Sequence, residues 1–283
     1  MEKGKGEPAM ASGLMMLANR VLCALIGLFA VTPVEAQVYV INSEEAGFDR
    51  RGLYTRALIQ EALVRTEPRY GPAELKVDGE RHSRLRLIQA VERGDQLSVA
   101  VLPSNPNLEE RLLPVKIDLA DGLLGLRVSL VREQDISLFS GVTAASDLKR
   151  FIAGAGADWE IALRFKQLGV TVLEAGDYEA LFPMLIHGRF DHLSRSVMEV
   201  LDEYKKYKAS LPELTVEPAL LLETGMPLYA FLSPKAGALR QRLQEGLQAL
   251  SDDGTIRRTV REQFEKDLID LKVAQRRRIR LDE

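Results

Sequence analysis

Arg195 and Glu199 stand four residues apart, directly after a β-rich run that ends near Leu193. A guanidinium offers a planar fork of donors that matches a carboxylate through two parallel hydrogen bonds. The end of a strand in an open α/β sheet is also where ligand contacts collect. The same i, i+4 spacing is common in helix-surface ion pairs, so both roles stay open. Gly154-Ala155-Gly156 precedes a helix that the pattern starts at Asp158. Free N–H groups around Gly156 and Ala157 at such a helix start suit an anion, although an ordinary strand-to-helix turn that needs positive φ reads the same way. Trp159, the single tryptophan, either covers a ligand at a cleft edge or packs inside its helix. Arg51 and Tyr54 follow the first strand and either line a cleft wall or simply begin a helix. Arg111, in Asn107-Leu-Glu-Glu-Arg111 after the third strand, is a further guanidinium, with a plain charged loop as its alternative.

Other chemistries are excluded more firmly. Cys23 is the only cysteine and lies in an apolar N-terminal run, so the chain beyond it has no thiol for a disulfide, a metal or a nucleophile. His82, His187 and His192 have no short metal-ligand spacing, and neither a metal nor a cofactor is expected. The formal net charge is −3, with both signs mixed along the chain, and no basic stripe marks a nucleic-acid partner. Arg276-Arg277-Arg278-Ile279-Arg280 reads as the solvated end of a terminal helix. No His/Asp/Ser constellation is present.

The leader places the protein. Lys3, Lys5 and Arg20 precede the apolar run Val21 to Val31, and Val34 and Ala36 put small residues before Gln37. Charge, apolar core and small-residue site in that order make a secretory signal peptide. A run of about eleven residues is short of the roughly twenty that span a membrane. The expectation is an exported, periplasmic chain cleaved after Ala36, with an uncleaved N-terminal anchor as the alternative.

Periodicity then supplies the scaffold. Gln37 to Asn42, Leu75 to Val77 and Gln96 to Leu102 read as strands, and Gly52 to Thr66 and Ser83 to Arg93 as helices. In the first helix the stripe is Leu53, Ala57, Leu58, Ala62 and Leu63. Leu113 to Leu119 and Leu124 to Arg132 are extended. A second α/β run follows: strands at Phe151 to Ala153, Val170 to Glu174 and Phe190 to Leu193, and helices at Asp158 to Leu168, Tyr178 to His187 and Ser196 to Ala209. Leu214 to Leu222 and Leu228 to Ser233 are strands, and Ala236 to the end reads as almost wholly helical. The fold class is therefore α/β with two lobes, 37–125 with 227–283 forming the first and 126–226 the second, and with a ligand cleft between them.

Four segments carry a resemblance. Gly176 to Asp191 resembles the Tyr-x-x-Leu-x-x-Met-Leu-x-x-Gly-Arg-x-Asp segment of type II periplasmic solute-binding proteins, in particular the amino-acid-type family (bacterial extracellular solute-binding family 3-like). Ser194 to Glu199, Gly154 to Trp159 and Gly122 to Arg127 are similar to one branch of it. The resemblance covers essentially all of the chain beyond the leader. It implies a type II periplasmic-binding fold and a non-enzymatic monomer. Such a protein closes its lobes on a small polar or anionic solute, an amino acid or a carboxylate, and delivers it to the permease of an ATP-driven ABC transporter. Sensing for a membrane receptor, or binding of protein partners alone, is the alternative use. A dehydratase-like enzyme with Glu199 or Asp191 as acid or base is the remaining one. The family's placement of a ligand-binding arginine falls on Arg111. Many members carry a carboxylate for the ligand's ammonium where this chain has Ser196, which favours an anionic solute over an α-amino acid.

Overall fold

The computed structural model describes residues 36–43, 50–80 and 82–281. The signal-peptide expectation, apart from Ala36 itself, lies outside the described residues.

The chain opens with β1 (Gln37–Ile41), α1 (Arg51–Arg65), a one-turn α2 (Glu67–Tyr70) and β2 (Ala73–Val77). It continues with α3 (Arg84–Arg93), β3 (Val99–Pro103), α4 (Pro106–Arg111) and β4 (Leu113–Val115). Helix α1 is rotated from its expected setting. Tyr54, Leu58, Ile59, Ala62 and Leu63 are buried, whereas Leu53 is 58% exposed and Ala57 is also exposed. The i, i+4, i+5 stripe that begins at Tyr54 brings the larger side chains inward. Helix α3 stops where Gly94 takes a left-handed φ of 72° and its N–H closes on Ala90 O, the usual glycine exit. Helix α4 begins at Pro106, with the Asn105 side chain accepting from Leu108 N at 2.9 Å.

The next elements are β5 (Leu126–Arg132), β6 (Ile152–Gly156), α5 (Glu160–Gln167), β7 (Thr171–Ala175) and α6 (Leu181–Ile186). Then come β8 (His192–Ser196), α7 (Val200–Lys208), β9 (Leu214–Val216) and β10 (Leu220–Glu223). The chain ends with β11 (Leu228–Leu232), α8 (Gly237–Asp252), α9 (Thr255–Asp270) and β12 (Arg277–Arg280).

Four expectations are corrected here. Gly154-Ala155-Gly156 is strand, paired in register with Leu173, Glu174 and Ala175, and neither glycine has positive φ. Both leave room for rings: a Cβ would meet Phe190 at 2.3 Å on Gly154 and Trp159 at 2.4 Å on Gly156. Strand β8 runs on to Ser196 because residues 193–196 pair with β5, which delays the helix to Val200. The expected strand Leu214 to Leu222 divides where Glu217 accepts from Ala219 N and Leu220 N beside Pro218. The basic tail is a strand, not a helix end, and Arg276 beside it is buried, donating to Leu271 O, Glu217 O and Leu220 O.

Two sheets result. The first has the order β2-β1-β3-β11-β4, and the second β12-β10-β5-β8-β6-β7, with β9 also on β5. β1, β2 and β3 are parallel, while β11 runs antiparallel to β3 and β4. Helix α8 packs on α1 closely enough that a Cβ on Gly246 would lie 2.5 Å from Ala62 O. Phe264 of α9 meets Tyr54 edge-on at 5.5 Å. The chain passes from the first sheet to the second at 116–125, returns at 224–227, and crosses again after α9 to lay β12 beside β10. The first two crossings touch: Thr224 N donates to Gly125 O at 3.0 Å, and a Cβ on Gly125 would come within 3.0 Å of Met226 N.

His192 sits under the second sheet with its ring centroid 5.5 Å from Phe165 and 5.9 Å from Phe139. Its Nδ1 lies 3.2 Å from Ser129 Oγ. Burial lowers its pKa from 6.5 to about 4, with Asp191 only partly opposing. The unfolded chain therefore takes up a proton between those two values that the native state refuses. Stability should fall as pH drops through that window, by up to about 3 kcal/mol. Denaturant unfolding of the parent and His192→Phe from pH 7 to pH 4 checks this. The parent should lose more stability on acidification, and equal pH slopes would remove His192 as the cause.

Candidate ligand-binding cleft

The C-terminal ends of β1 and β3 and the first turns of α1 and α3 face the start of β5, the end of β8 and the start of α5 across a cleft. It holds about 140 Å³ of room for water-molecule centres, roughly ten times the 10–15 Å³ that one water needs. Leu87, Leu102, Leu124, Ile161 and Met226 give it apolar walls. Asn42, Thr55 and His82 add polar groups, and Arg51, Arg84, Arg127 and Arg195 add guanidinium groups.

The second-sheet wall is an ordered charge network. Arg195, 4% exposed, donates to both oxygens of Glu203, from Nε at 2.8 Å and from Nη2 at 2.6 Å, and pairs with Glu199 at 2.6 Å. Tyr178 donates to Glu203 Oε1 at 2.7 Å. The Arg195 guanidinium also lies over Trp159, 4.2 Å from the ring centroid. Burial alone would lower the Arg195 pKa, but Glu199, Glu203 and Tyr178 outweigh it and raise it. Burial and the neighbouring carboxylates raise that of Tyr178, so its hydroxyl stays a donor. Glu199 is bridged in turn by Arg51 of α1, and Arg50 reaches Asp202 at 2.6 Å. These two pairs tie the helices of the first sheet to α7.

Arg127 is different. It is 4% exposed and donates only to Ser194, from Nε to Oγ at 3.3 Å and from Nη2 to the carbonyl at 2.8 Å. Among the described residues no carboxylate pairs with it. Desolvation pushes its pKa down to about 10, with distant help from Glu199 and repulsion from Arg195 and Arg51. A buried cation without an anion is costly, and this one borders the cleft.

The residues singled out in the sequence divide into two groups. Arg51, Trp159, Arg195 and Glu199 line the cleft. Arg195 and Glu199 do meet, but from a strand and a helix cap, not from two turns of one helix. Arg111 ends α4 and pairs with Glu92 at 2.7 Å, outside the cleft lining. Tyr54 packs into the helical layer against Phe264. Gly156 lies beneath the Trp159 ring, and the Ala157 N–H is committed to Ala175 O at 2.9 Å. Asp191 accepts from Ile152 N at 2.7 Å at the base of β6, away from the cleft lining. Arg84, Arg127, Glu160 and Glu203 were not singled out. An arginine near the start of the largely apolar strand LRVSLVR was the available signal for Arg127.

No protein-family model matches the chain, and no curated protein sequence does. Solved structures do. An ancestral arginine-binding protein bound to glutamine aligns with a TM-score of 0.60 and 15% identity over 81% of this chain and 99% of that one. A Salmonella typhimurium periplasmic binding protein of high arginine specificity gives 0.56 and 14% over 81% and 100%. A Streptococcus pneumoniae amino acid ABC transporter substrate-binding protein bound to L-arginine gives 0.56 and 14% over 81% and 94%. The chain has the two-lobe α/β fold of the amino acid ABC transporter substrate-binding proteins.

Proposed function

We propose that the chain is an exported solute-binding protein that closes its lobes on a small anionic or polar solute, a carboxylate or an amino acid. The observation that carries this reading is Arg127, a buried guanidinium at the cleft with a donor edge and no carboxylate partner among the described residues. An incoming anion supplies the missing charge, and the apolar walls accept the rest of the molecule. The lobes are 37–125 with the helices after 227, and 126–226; the crossings at Gly125 and Thr224 serve as the hinge. Closure by contacts to both lobes is a shift between two states. The closed form is read by the permease of an ABC importer in the membrane, and the protein works in the periplasm as a monomer after cleavage behind Ala36. It is a binding protein and performs no catalysis.

The test uses Trp159, which lines the cleft and is the single tryptophan. Pools of organic acids and of amino acids are titrated into the chain from Gln37 onward while its fluorescence and melting are followed. At a ligand concentration of a hundred times Kd, a binder gains about 2.7 kcal/mol. A saturable fluorescence change with that stabilisation is expected from an acid pool. Silence of both signals with every pool would end the solute-binding reading.

A further inference from the structure

Glu160 opens α5 and lines the cleft from the second lobe. Its Oε2 is closed off from solvent and meets no hydrogen-bond donor among the described residues. A buried acceptor left in that state is unfavourable, so the position calls for a further donor. The neighbouring carboxylates are already engaged, Glu199 by Arg51 and Arg195, and Glu203 by Arg195 and Tyr178.

Its surroundings decide which donor fits. The Asn105 side chain and the guanidinium groups of Arg84 and Arg164 act on its charge, each favouring the carboxylate. Burial outweighs these three and raises the pKa of Glu160, which weakens it as a counter-ion. Two nearby cations disfavour a ligand ammonium by like-charge repulsion. A hydroxyl donor carries no such penalty.

We propose that the cleft selects a hydroxy-substituted carboxylate, its carboxylate on Arg127 and its hydroxyl donating to Glu160 Oε2. This assignment rests on the anion-binding reading above and adds the chemistry of the second group. It also sets the chain apart from structural neighbours that were solved with arginine or glutamine bound.

Calorimetry with two sets of probes tests it: succinate, malate and aspartate, and 3-phenylpropanoate, 3-phenyllactate and phenylalanine. Within at least one set, the hydroxy acid should bind about tenfold or more tighter than the unsubstituted acid, and tighter than the amino acid. Glu160→Ala should bring hydroxy and unsubstituted acids within threefold of each other. Glu160→Gln, which keeps a neutral acceptor, should retain most of the preference. A hydroxyl preference that survives Glu160→Ala, or an amino acid that binds the parent best, overturns the assignment while leaving anion binding intact. Failure of all six probes on the parent overturns it together with the anion reading. If Glu160→Ala does not fold, the order of affinities on the parent still decides between hydroxyl and ammonium.

Discussion

Arg127→Gln should fold, hold its stability or gain some, and lose anion binding. The two effects have opposite signs because the native guanidinium is desolvated without an ion partner among the described residues. Replacing it by a neutral amide removes an unpaired buried charge, and the amide nitrogen can still donate towards Ser194. In the liganded state the same change deletes a charge-assisted contact in a buried site. That costs about 2–5 kcal/mol, or about thirtyfold to several thousandfold in Kd. Arg127→Lys should fall between, since it keeps the charge but loses the fork. Arg111→Ala is the informative comparison. Its solvent-screened pair with Glu92 contributes little to folding, and it stands outside the cleft lining. Calorimetry on the three variants, with chemical denaturation alongside, separates the cases. An Arg127→Gln protein that binds acids within threefold of the parent, with Arg111→Ala deficient, would return the anchor to the loop after β3.

The resemblance placed an arginine at Arg111, and local pattern gave no sign that Arg127 would border the cleft. Alternation and helical stripes mark surfaces that will be buried, so most strands and helices, with the two α/β runs, were legible. They do not say which buried position faces a neighbouring lobe. Arg127 sits on a strand whose alternate positions are covered on both faces, where a charge looks anomalous but has no visible partner. Tyr178, Arg195 and Glu203 are distant in sequence and meet only because β8 continues to Ser196 and α7 starts late. Reading helix from Ser196 left the roles of Arg195 and Glu199 open between a surface pair and a ligand site, and left Glu203 unremarked. Gly154 and Gly156 were read for φ, although their role is to admit the rings of Phe190 and Trp159. In α1 the tie between Leu53 and Tyr54 was broken only by Phe264, over two hundred residues later. What was missed in each case depends on how one element packs against another.

Glu203→Ala should be the most damaging single change in the second lobe. The carboxylate is 2% exposed and accepts from Arg195 and Tyr178. Its loss leaves a buried Arg195 with Glu199 as its remaining carboxylate and the Tyr178 hydroxyl without its acceptor. Breaking one side of a buried ion pair costs about 3–5 kcal/mol, a large part of the stability of a typical domain. Removing both charges should cost less. In Arg195→Met/Glu203→Leu no unpaired charge remains, and apolar replacement of a buried pair is often neutral in stability. A double-mutant cycle on Arg195→Met and Glu203→Leu by urea unfolding should therefore give a coupling energy of up to about 3 kcal/mol. A loss below about 1 kcal/mol for Glu203→Ala would show that Arg195 is held without it. The double variant also has a functional consequence. Arg195 covers Trp159 and holds Glu199, which in turn reaches Arg51 in the other lobe. A stable double variant should therefore bind acids more weakly than the parent, because the guanidinium that orients the cleft wall and the interlobe pair is gone while the anchoring Arg127 is intact.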